Sequence, residues 1–314
     1  MNEGMTKMNN HIKIKADLDR GIFWSLFATI MFGTADTLLQ FLSQHENVSA
    51  VWFLSTRTFF AGIILLIIGA FMYRRHFFDI FKSIQSIVYL VLYALLGICV
   101  NFLASYLSVQ YGNSASMSIL QYLSPLFVLL IMVIVQRRAP SLIDVIVFIM
   151  AMIGIFLVLT KGNFSKLSIS TTALMWGIGA GFGQALYLIC PVPLTKKHYP
   201  QILILGWGLI ISSVAFNLKQ PIWVNPPKIN LALVLTISCV VLFGTIISFM
   251  CFLKAAKYVT SQIMSLTAAF EPITVFILSF IFFNLQVNFI EVLGAVIVLA
   301  AIITLQICHS RANN

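Results

Sequence analysis

Apolar residues run through the chain in blocks of about twenty positions, and short stretches holding most of the charges, prolines and asparagines separate the blocks. A helix of about twenty apolar residues crosses the hydrocarbon core of a bilayer, whereas a membrane β-strand shows about ten residues of alternating polarity. The pattern therefore predicts helical membrane spans and excludes an outer-membrane barrel. We place ten spans at 21–43, 49–73, 87–109, 113–136, 141–160, 170–191, 200–217, 230–253, 259–283 and 287–308.

The composition supports an all-α integral membrane protein in a lipid bilayer. Hydrophobic residues make up 60% of the 314 positions and charged residues 9%, with a mean hydropathy of +1.00. Soluble domains carry about 25% charged residues, so this chain cannot cover a water-facing surface. The net charge of +10 does not indicate nucleic-acid binding, because the basic residues lie in short clusters between the spans.

The distribution of Lys and Arg predicts the orientation. With the N-terminus inside, the cytoplasmic segments hold 14 basic residues and the opposite segments hold 4. Cytoplasmic loops carry the excess of Lys and Arg in membrane proteins. We therefore expect a multi-pass protein of the cytoplasmic membrane, with a cytoplasmic N-terminal segment (1–20) and a cytoplasmic tail (309–314).

The two halves of the chain resemble each other when one is shifted by 147 positions. Each predicted half, 21–160 and 170–308, contains five spans, and an odd number makes the second half cross the membrane in the opposite sense. This predicts two inverted five-helix repeats, an architecture found in many transporters and also in channels. The matched pairs include Gly97 and Gly244, Phe102 and Phe249, Pro125 and Pro272, and Asp144 and Glu291.

Three segments carry a resemblance to a known family. They are 101–115 with its continuation to Leu123-Ser124-Pro125, then Phe270-Glu271-Pro272, and finally Glu291 to Gly294. Together they resemble the drug/metabolite transporter superfamily, in its EamA-type ten-helix branch, over about residues 21–308. The resemblance implies a secondary transporter that exports amino acids or related metabolites.

A carboxylate and two prolines mark the candidate central site. Glu271 lies about 12 residues into span nine and Pro272 follows it, while Pro125 holds the matching position in span four. Proline removes a backbone hydrogen bond and opens the preceding turn. Matched breaks in inverted halves are the best sequence indication of a transporter's binding site. Glu271 is then either a coupling or substrate-binding acid, which we predict, or a buried structural acid.

Two further charges lie within the predicted spans. Asp36 in span one and Arg57 in span two reach a similar depth in the outer part of the membrane. A charge at mid-bilayer costs about 2.5–3.5 kcal/mol, so we expect these two to pair. The pair is either structural or available to a substrate. Asp144 and Glu291, one turn inside their helices, are predicted to be structural.

Polar and aromatic residues within the spans complete the predicted cavity. Gln121 and Ser124 share one face of span four with Ser114 and Met117. Trp207 is a candidate aromatic wall for a ring-bearing or cationic substrate. The remaining candidates are Asn101, Gln184 and Tyr187.

The chain lacks the motifs of the competing functional classes. His45-Glu46 is followed by Asn47-Val48-Ser49 rather than by the rest of an HExxH motif, and there is no GxSxG. We therefore predict no enzymatic activity, no metal and no cofactor. The driving force for transport is expected to come from a gradient of protons, of another ion or of the substrate. The predicted function is alternating-access transport of a small organic molecule. The alternative functions are a channel and an uptake or exchange carrier for an amine, nucleoside or sugar. A homodimer is compatible with any of these functions.

Overall fold

The computed structural model describes residues 2–46, 48–136, 141–161, 168–284, 286 and 288–312, which form helices and short connections. Within these residues, eight segments are long and apolar enough to cross a membrane by length and composition, and two apolar helices, Phe270–Phe283 and Phe289–Leu305, are shorter. The eight segments are Asp17–His45, Ala50–Met72, Ile84–Tyr111, Ser114–Val135, Leu142–Thr160, Thr171–Lys196, Gln201–Lys219 and Leu231–Ala255.

Fifteen α-helices build these segments in the described residues, and π-helical turns at Phe41–His45, Tyr93–Cys99 and Leu242–Ile247 continue three of them. The helices are α1 (Asn2–Gln40), α2 (Ala50–Met72), α3 (Ile84–Leu92), α4 (Val100–Tyr111), α5 (Ser114–Gln121), α6 (Ser124–Gln136), α7 (Leu142–Thr160), α8 (Thr171–Ile189), α9 (Val192–Lys196), α10 (Gln201–Lys219), α11 (Leu231–Val241), α12 (Ser248–Ala255), α13 (Ser261–Ala268), α14 (Phe270–Phe283) and α15 (Phe289–Ala312).

Two predicted spans are divided rather than continuous. Span four consists of α5 and α6, which meet at Tyr122, and span nine consists of α13 and α14, which meet at Ala269. Each junction lies three residues before a proline, Pro125 or Pro272. The proline has no N–H to donate to the carbonyl four residues earlier, and its ring pushes that carbonyl aside. Span nine is therefore two short helices, which meet at the break predicted before Pro272.

Two of the three π-helical turns named above fall at matching places in the two halves. One joins α3 to α4 and contains Gly97, and another joins α11 to α12 and contains Gly244. These two glycines are 147 positions apart, which is the shift that aligns the halves. A π turn inserts one extra residue into a helix and is frequently found at functional sites.

The largest helix contacts of one half recur between the matching helices of the other half. Helix α2 packs on α10 and α7 packs on α15, and each of these pairs joins equivalent helices. In the same way α4 and α5 pack on α8, while their equivalents α12 and α13 pack on α1. The contact of α7 with α15 is close at Gly154, where an added Cβ would lie 2.7 Å from the carbonyl oxygen of Gly294.

The two acids at helix starts have structural partners. Asp144 forms a reciprocal capping box with Ser141 at the start of α7. Glu291, 1% exposed in the first turn of α15, forms an ion pair of 2.8 Å with Lys161.

Several sequence predictions fall outside the described residues: the first residue of span ten at position 287 and the basic residues Arg137, Arg138 and Lys166.

Candidate functional site

A cavity of about 650 Å³ lies between the two halves, at the helix junctions. Its volume is within the range of small-molecule sites, about 300–1,000 Å³. Both prolines, Pro125 and Pro272, lie in its wall. The polar lining residues are Thr29, Ser118, Gln121, Tyr122, Ser124, Gln184, Tyr187, Thr195, Gln201 and Glu271.

The cavity extends to one end of the helix bundle. Pro191 and Thr195, which lie between α8 and α10, line it there, and so do Leu253 and Ala256 at the end of α12. The Lys and Arg distribution predicts that this end faces the cytoplasm.

Side-chain hydrogen bonds close the opposite end. The Gln40 Oε1 atom accepts from the Ser114 backbone N–H at 2.9 Å and from the Ser114 hydroxyl at 2.7 Å. The Ser114 and Ser279 hydroxyls are 2.9 Å apart, which joins α5 to α14. Gln44 Nε2 donates to two carbonyl oxygens in the turn 109–112, at 2.8 and 2.7 Å. We call Gln40, Gln44, Ser114 and Ser279 the polar seal.

The expected face of span four is only partly in the cavity wall. Gln121 and Ser124 line the cavity. Ser114 belongs to the polar seal instead, and Met117 is fully buried among apolar side chains. The interpretation of a four-residue lining face is therefore wrong at its outer end, because the closed end of the bundle covers that part of α5.

An amide network holds the polar wall of the cavity. Asn101 is 3% exposed and lies behind this wall, where its Nδ2 donates to Gln184 Oε1 at 2.6 Å. Its Oδ1 accepts from Gln121 Nε2 at 3.0 Å and from the Ser105 hydroxyl at 3.4 Å. Asn101 therefore positions Gln121 and Gln184, which line the cavity from opposite halves of the chain.

Glu271 lines the cavity, and Asp36 lies directly behind it. The two carboxyl groups are within reach of a hydrogen bond to each other. Gly33 makes this approach of α1 to α14 feasible, since an added Cβ there would lie 2.8 Å from the Glu271 carbonyl oxygen and 2.9 Å from Thr274 Cβ. The carboxyl partner of Asp36 was not expected from the sequence.

Arg57 does not form the expected direct ion pair with Asp36. Its Nη2 donates to the Gly244 carbonyl at 3.2 Å, and its Nε and Nη2 lie 3.4 Å from the Thr245 hydroxyl. The guanidinium also lies 4.2 Å from the Phe102 ring centroid. The Arg57 charge still acts on Asp36. The expected ion pair is therefore corrected: the π turn at 242–247 presents the Gly244 carbonyl to the guanidinium, and Arg57 bonds to that carbonyl instead of to Asp36.

Tyrosines contribute more to the cavity than the sequence indicated. The Tyr187 ring packs against the Tyr93 ring at an interplanar angle of 47°, with ring centroids 5.4 Å apart, and both residues line the cavity. Tyr122, at the junction of α5 and α6, also lines it, and its hydroxyl is buried with no hydrogen-bond partner in the described part of the chain. A tyrosine hydroxyl in the middle of an apolar span is a signal that could have identified Tyr93 and Tyr122.

Trp207 lies outside the cavity wall, which is a correction to its predicted role. Its ring packs against Phe77, Phe78 and Phe81, and its indole N–H donates to the Phe77 carbonyl at 3.3 Å. It therefore anchors the connection between α2 and α3. In the same connection, hydrogen bonds from Lys82 and then His76 hold the pKa of Asp79 below its usual value.

Comparison with known proteins agrees with this fold. The chain is 26% identical over 297 residues to the "Uncharacterized inner membrane transporter YicL" of Salmonella typhimurium strain LT2, covering 93% of this chain and 97% of that protein. A solved crystal structure is similar with a TM-score of 0.58 at 13% identity, over 91% of this chain and 99% of that one, which shows a shared fold. The sequence model of the EamA-like transporter family matches twice, at residues 19–160 and 171–306. The chain is therefore a multi-pass membrane protein that belongs to the EamA-like transporter family of the drug/metabolite transporter superfamily.

Proposed function

We propose that this protein is a secondary transporter that moves a small organic solute across the cytoplasmic membrane by alternating access. The observation that carries the proposal is the cavity at the two helix junctions, which contains Glu271, reaches one end of the bundle and is closed at the other by the polar seal. A channel needs a continuous polar path, and the seal interrupts it. The conformation is then inward-facing, with both termini in the cytoplasm.

The packing supports ten spans arranged as two inverted repeats. Equivalent helices pack in equivalent pairs, and both halves match the same family. Two halves of five spans each have an odd number of crossings, so a second copy with the same internal packing enters the membrane from the other side. Each half then supplies one junction to the central cavity, and rocking of the halves would transfer access from one side to the other.

The lining suits reversible binding rather than bond cleavage. Among the described lining residues, the polar groups are amides, hydroxyls and one carboxyl, that of Glu271. We therefore propose no enzymatic activity and no cofactor. The resemblance to the family favours export of an amino acid or a related compound, and a cavity that opens to the cytoplasm would load its solute from that side. Uptake or exchange of an amine, nucleoside or sugar is the alternative.

The Glu271→Gln variant tests the role of the central carboxyl. Gln keeps the shape and hydrogen-bonding capacity of a protonated acid but cannot release a proton. If Glu271 couples proton movement to transport, the variant in proteoliposomes should exchange solute between the two sides but lose accumulation driven by a pH gradient. If Glu271 binds the solute directly, affinity itself should fall.

The control is Asp79→Asn, which removes one negative charge from the connection between α2 and α3, where Asp79 pairs with His76 and Lys82 and does not line the cavity. This variant should retain both exchange and accumulation. Wild-type behaviour of Glu271→Gln in both measurements would contradict the proposed role of Glu271. A wild-type protein that moves no metabolite at all would contradict transport.

A further inference from the structure

The cavity wall carries one charged side chain, the carboxyl of Glu271, and no Lys, Arg or His among the described lining residues. At the mouth, Lys254 is held 3.7 Å from the Trp24 ring centroid rather than directed into the cavity. A solute carboxylate would therefore enter a low-dielectric site without a cationic partner, which is costly. A solute ammonium group would find a carboxylate.

The charges behind the wall do not balance when every group is ionised. Asp36 and Glu271 supply two negative charges and Arg57 supplies one positive charge, and all three lie within one electrostatic cluster. Among the described residues, Tyr122 at the end of α5 and Tyr187 of α8 are the other titratable groups that face the cluster. A tyrosine hydroxyl has an ordinary pKa of about 10, so it is neutral near neutral pH. The site therefore lacks one positive charge.

A hydrogen bond between two carboxyl groups requires a proton on one of them. The contact of Asp36 with Glu271 therefore represents the state in which a single proton supplies the missing charge. A protonated amine bound at Glu271 would supply the same positive charge. The proton shared by Asp36 and Glu271 would then be released. Proton and amine are then alternative occupants of one site.

The rest of the wall suits the body of an amine-bearing solute. Tyr93, Tyr122, Tyr187, Phe249 and Phe252 present aromatic rings to the cavity, and cations bind to aromatic faces. Gln121 and Gln184, fixed by Asn101, leave an amide oxygen and an amide nitrogen for polar substituents. The lining is thus apolar and aromatic around a single acidic position.

We propose that the solute is a monocationic amine with an apolar or aromatic body and no carboxylate, and that one amine replaces one proton at the Asp36–Glu271 pair. This inference rests on the proposed transport function and, within it, favours the amine alternative over an amino acid. Exchange of one cation for one proton carries no net charge across the membrane. A pH gradient, and not the membrane potential, then drives accumulation.

Four probes that share a phenyl ring test the solute class by calorimetric binding to the purified wild-type protein. Near neutral pH, phenethylamine and phenylalaninol are monocations, phenylalanine is a zwitterion, and 3-phenylpropanoate is an anion. The two monocations should bind at least about tenfold more tightly than phenylalanine, because an unpaired buried charge is costly. The anion should not bind.

Proton release, measured on the same protein in buffers of different ionisation enthalpy, tests the replacement. Binding of phenethylamine should release close to one proton near neutral pH, a result that needs no variant to fold. The Glu271→Gln variant should bind phenethylamine about 10- to 150-fold more weakly, since a charged hydrogen bond is lost, whereas Asp79→Asn should match the wild type. Binding without proton release, or equal binding of phenylalanine, overturns the inference.

Transport of phenethyltrimethylammonium, a permanent cation that does not cross bilayers as a neutral base, tests the charge balance in proteoliposomes. An acidic interior should drive its accumulation, and a potassium diffusion potential alone should not. Accumulation driven by the potential overturns one-for-one exchange. Transport of phenylalanine without any amine transport would overturn the solute class but leave the transport function intact, whereas transport of none of the probes would count against both.

Discussion

The polar seal makes a quantitative prediction about the conformational equilibrium. The Gln40→Ala variant removes the acceptor of two hydrogen bonds, of 2.9 and 2.7 Å, that join α1 to Ser114 on α5. Both bonds must break when the closed end opens, because they cross it. At about 0.5–1.5 kcal/mol each, their loss should favour the outward-open state by about 1–3 kcal/mol, or about 5- to 150-fold.

Thiol labelling measures this shift. A reporter cysteine at Ser118, which lines the cavity on the sealed side of the helix junction, would be placed in a variant whose native cysteines are replaced. An impermeant thiol reagent added outside should label the reporter cysteine about 5- to 150-fold faster in Gln40→Ala than in the protein without this substitution. The matched control is Thr34→Ala on the same helix, because the Thr34 hydroxyl bonds only to the Ile30 carbonyl of its own helix. Equal labelling rates in all three proteins would refute the role of the seal.

Three further predictions concern orientation, packing and the amide network. Cysteine reporters at Lys197 and Lys228 should be labelled from the cytoplasm and from outside respectively, and labelling of both from one side would contradict the orientation. Lys161→Met should lower the free energy of unfolding by about 3 kcal/mol, because it leaves the buried Glu291 unpaired. Adding Glu291→Gln should recover most of that loss. If the two substitutions lower the free energy of unfolding additively, the two residues are not coupled. Asn101→Ala should weaken solute binding about tenfold by releasing its two glutamine partners, so an unchanged dissociation constant would contradict its positioning role.

The sequence predicted the helical membrane fold well because its signal is local. Blocks of about twenty apolar residues and the prolines at positions 125 and 272 can be read from one stretch of chain at a time. The junctions at Tyr122 and Ala269 follow directly from the missing proline N–H groups. The family resemblance, which depends on the same segments, is confirmed by the match of both halves.

Side-chain partners were predicted less well, because depth in the membrane does not determine which way a side chain points. Asp36 and Arg57 were placed at a similar depth, yet Arg57 bonds to the Gly244 carbonyl and Asp36 contacts Glu271. Trp207 has the depth of a cavity residue but faces the aromatic side chains of the connection between α2 and α3. Such pairings depend on the rotation of each helix about its own axis.

The π turns have a consequence for how the halves arose. One additional residue turns every later side chain by about 100° around the helix axis. In the first half that rotation sets where Asn101 and Ser105 face, and in the second it sets where Phe249 and Phe252 face. Both halves match the same family and carry the insertion at the same aligned glycine, so we infer that it was present in their common ancestor. The residues that follow the two turns now differ in chemistry, polar at Asn101 and Ser105 and aromatic at Phe249 and Phe252, although both sets project from a helix rotated by the same insertion.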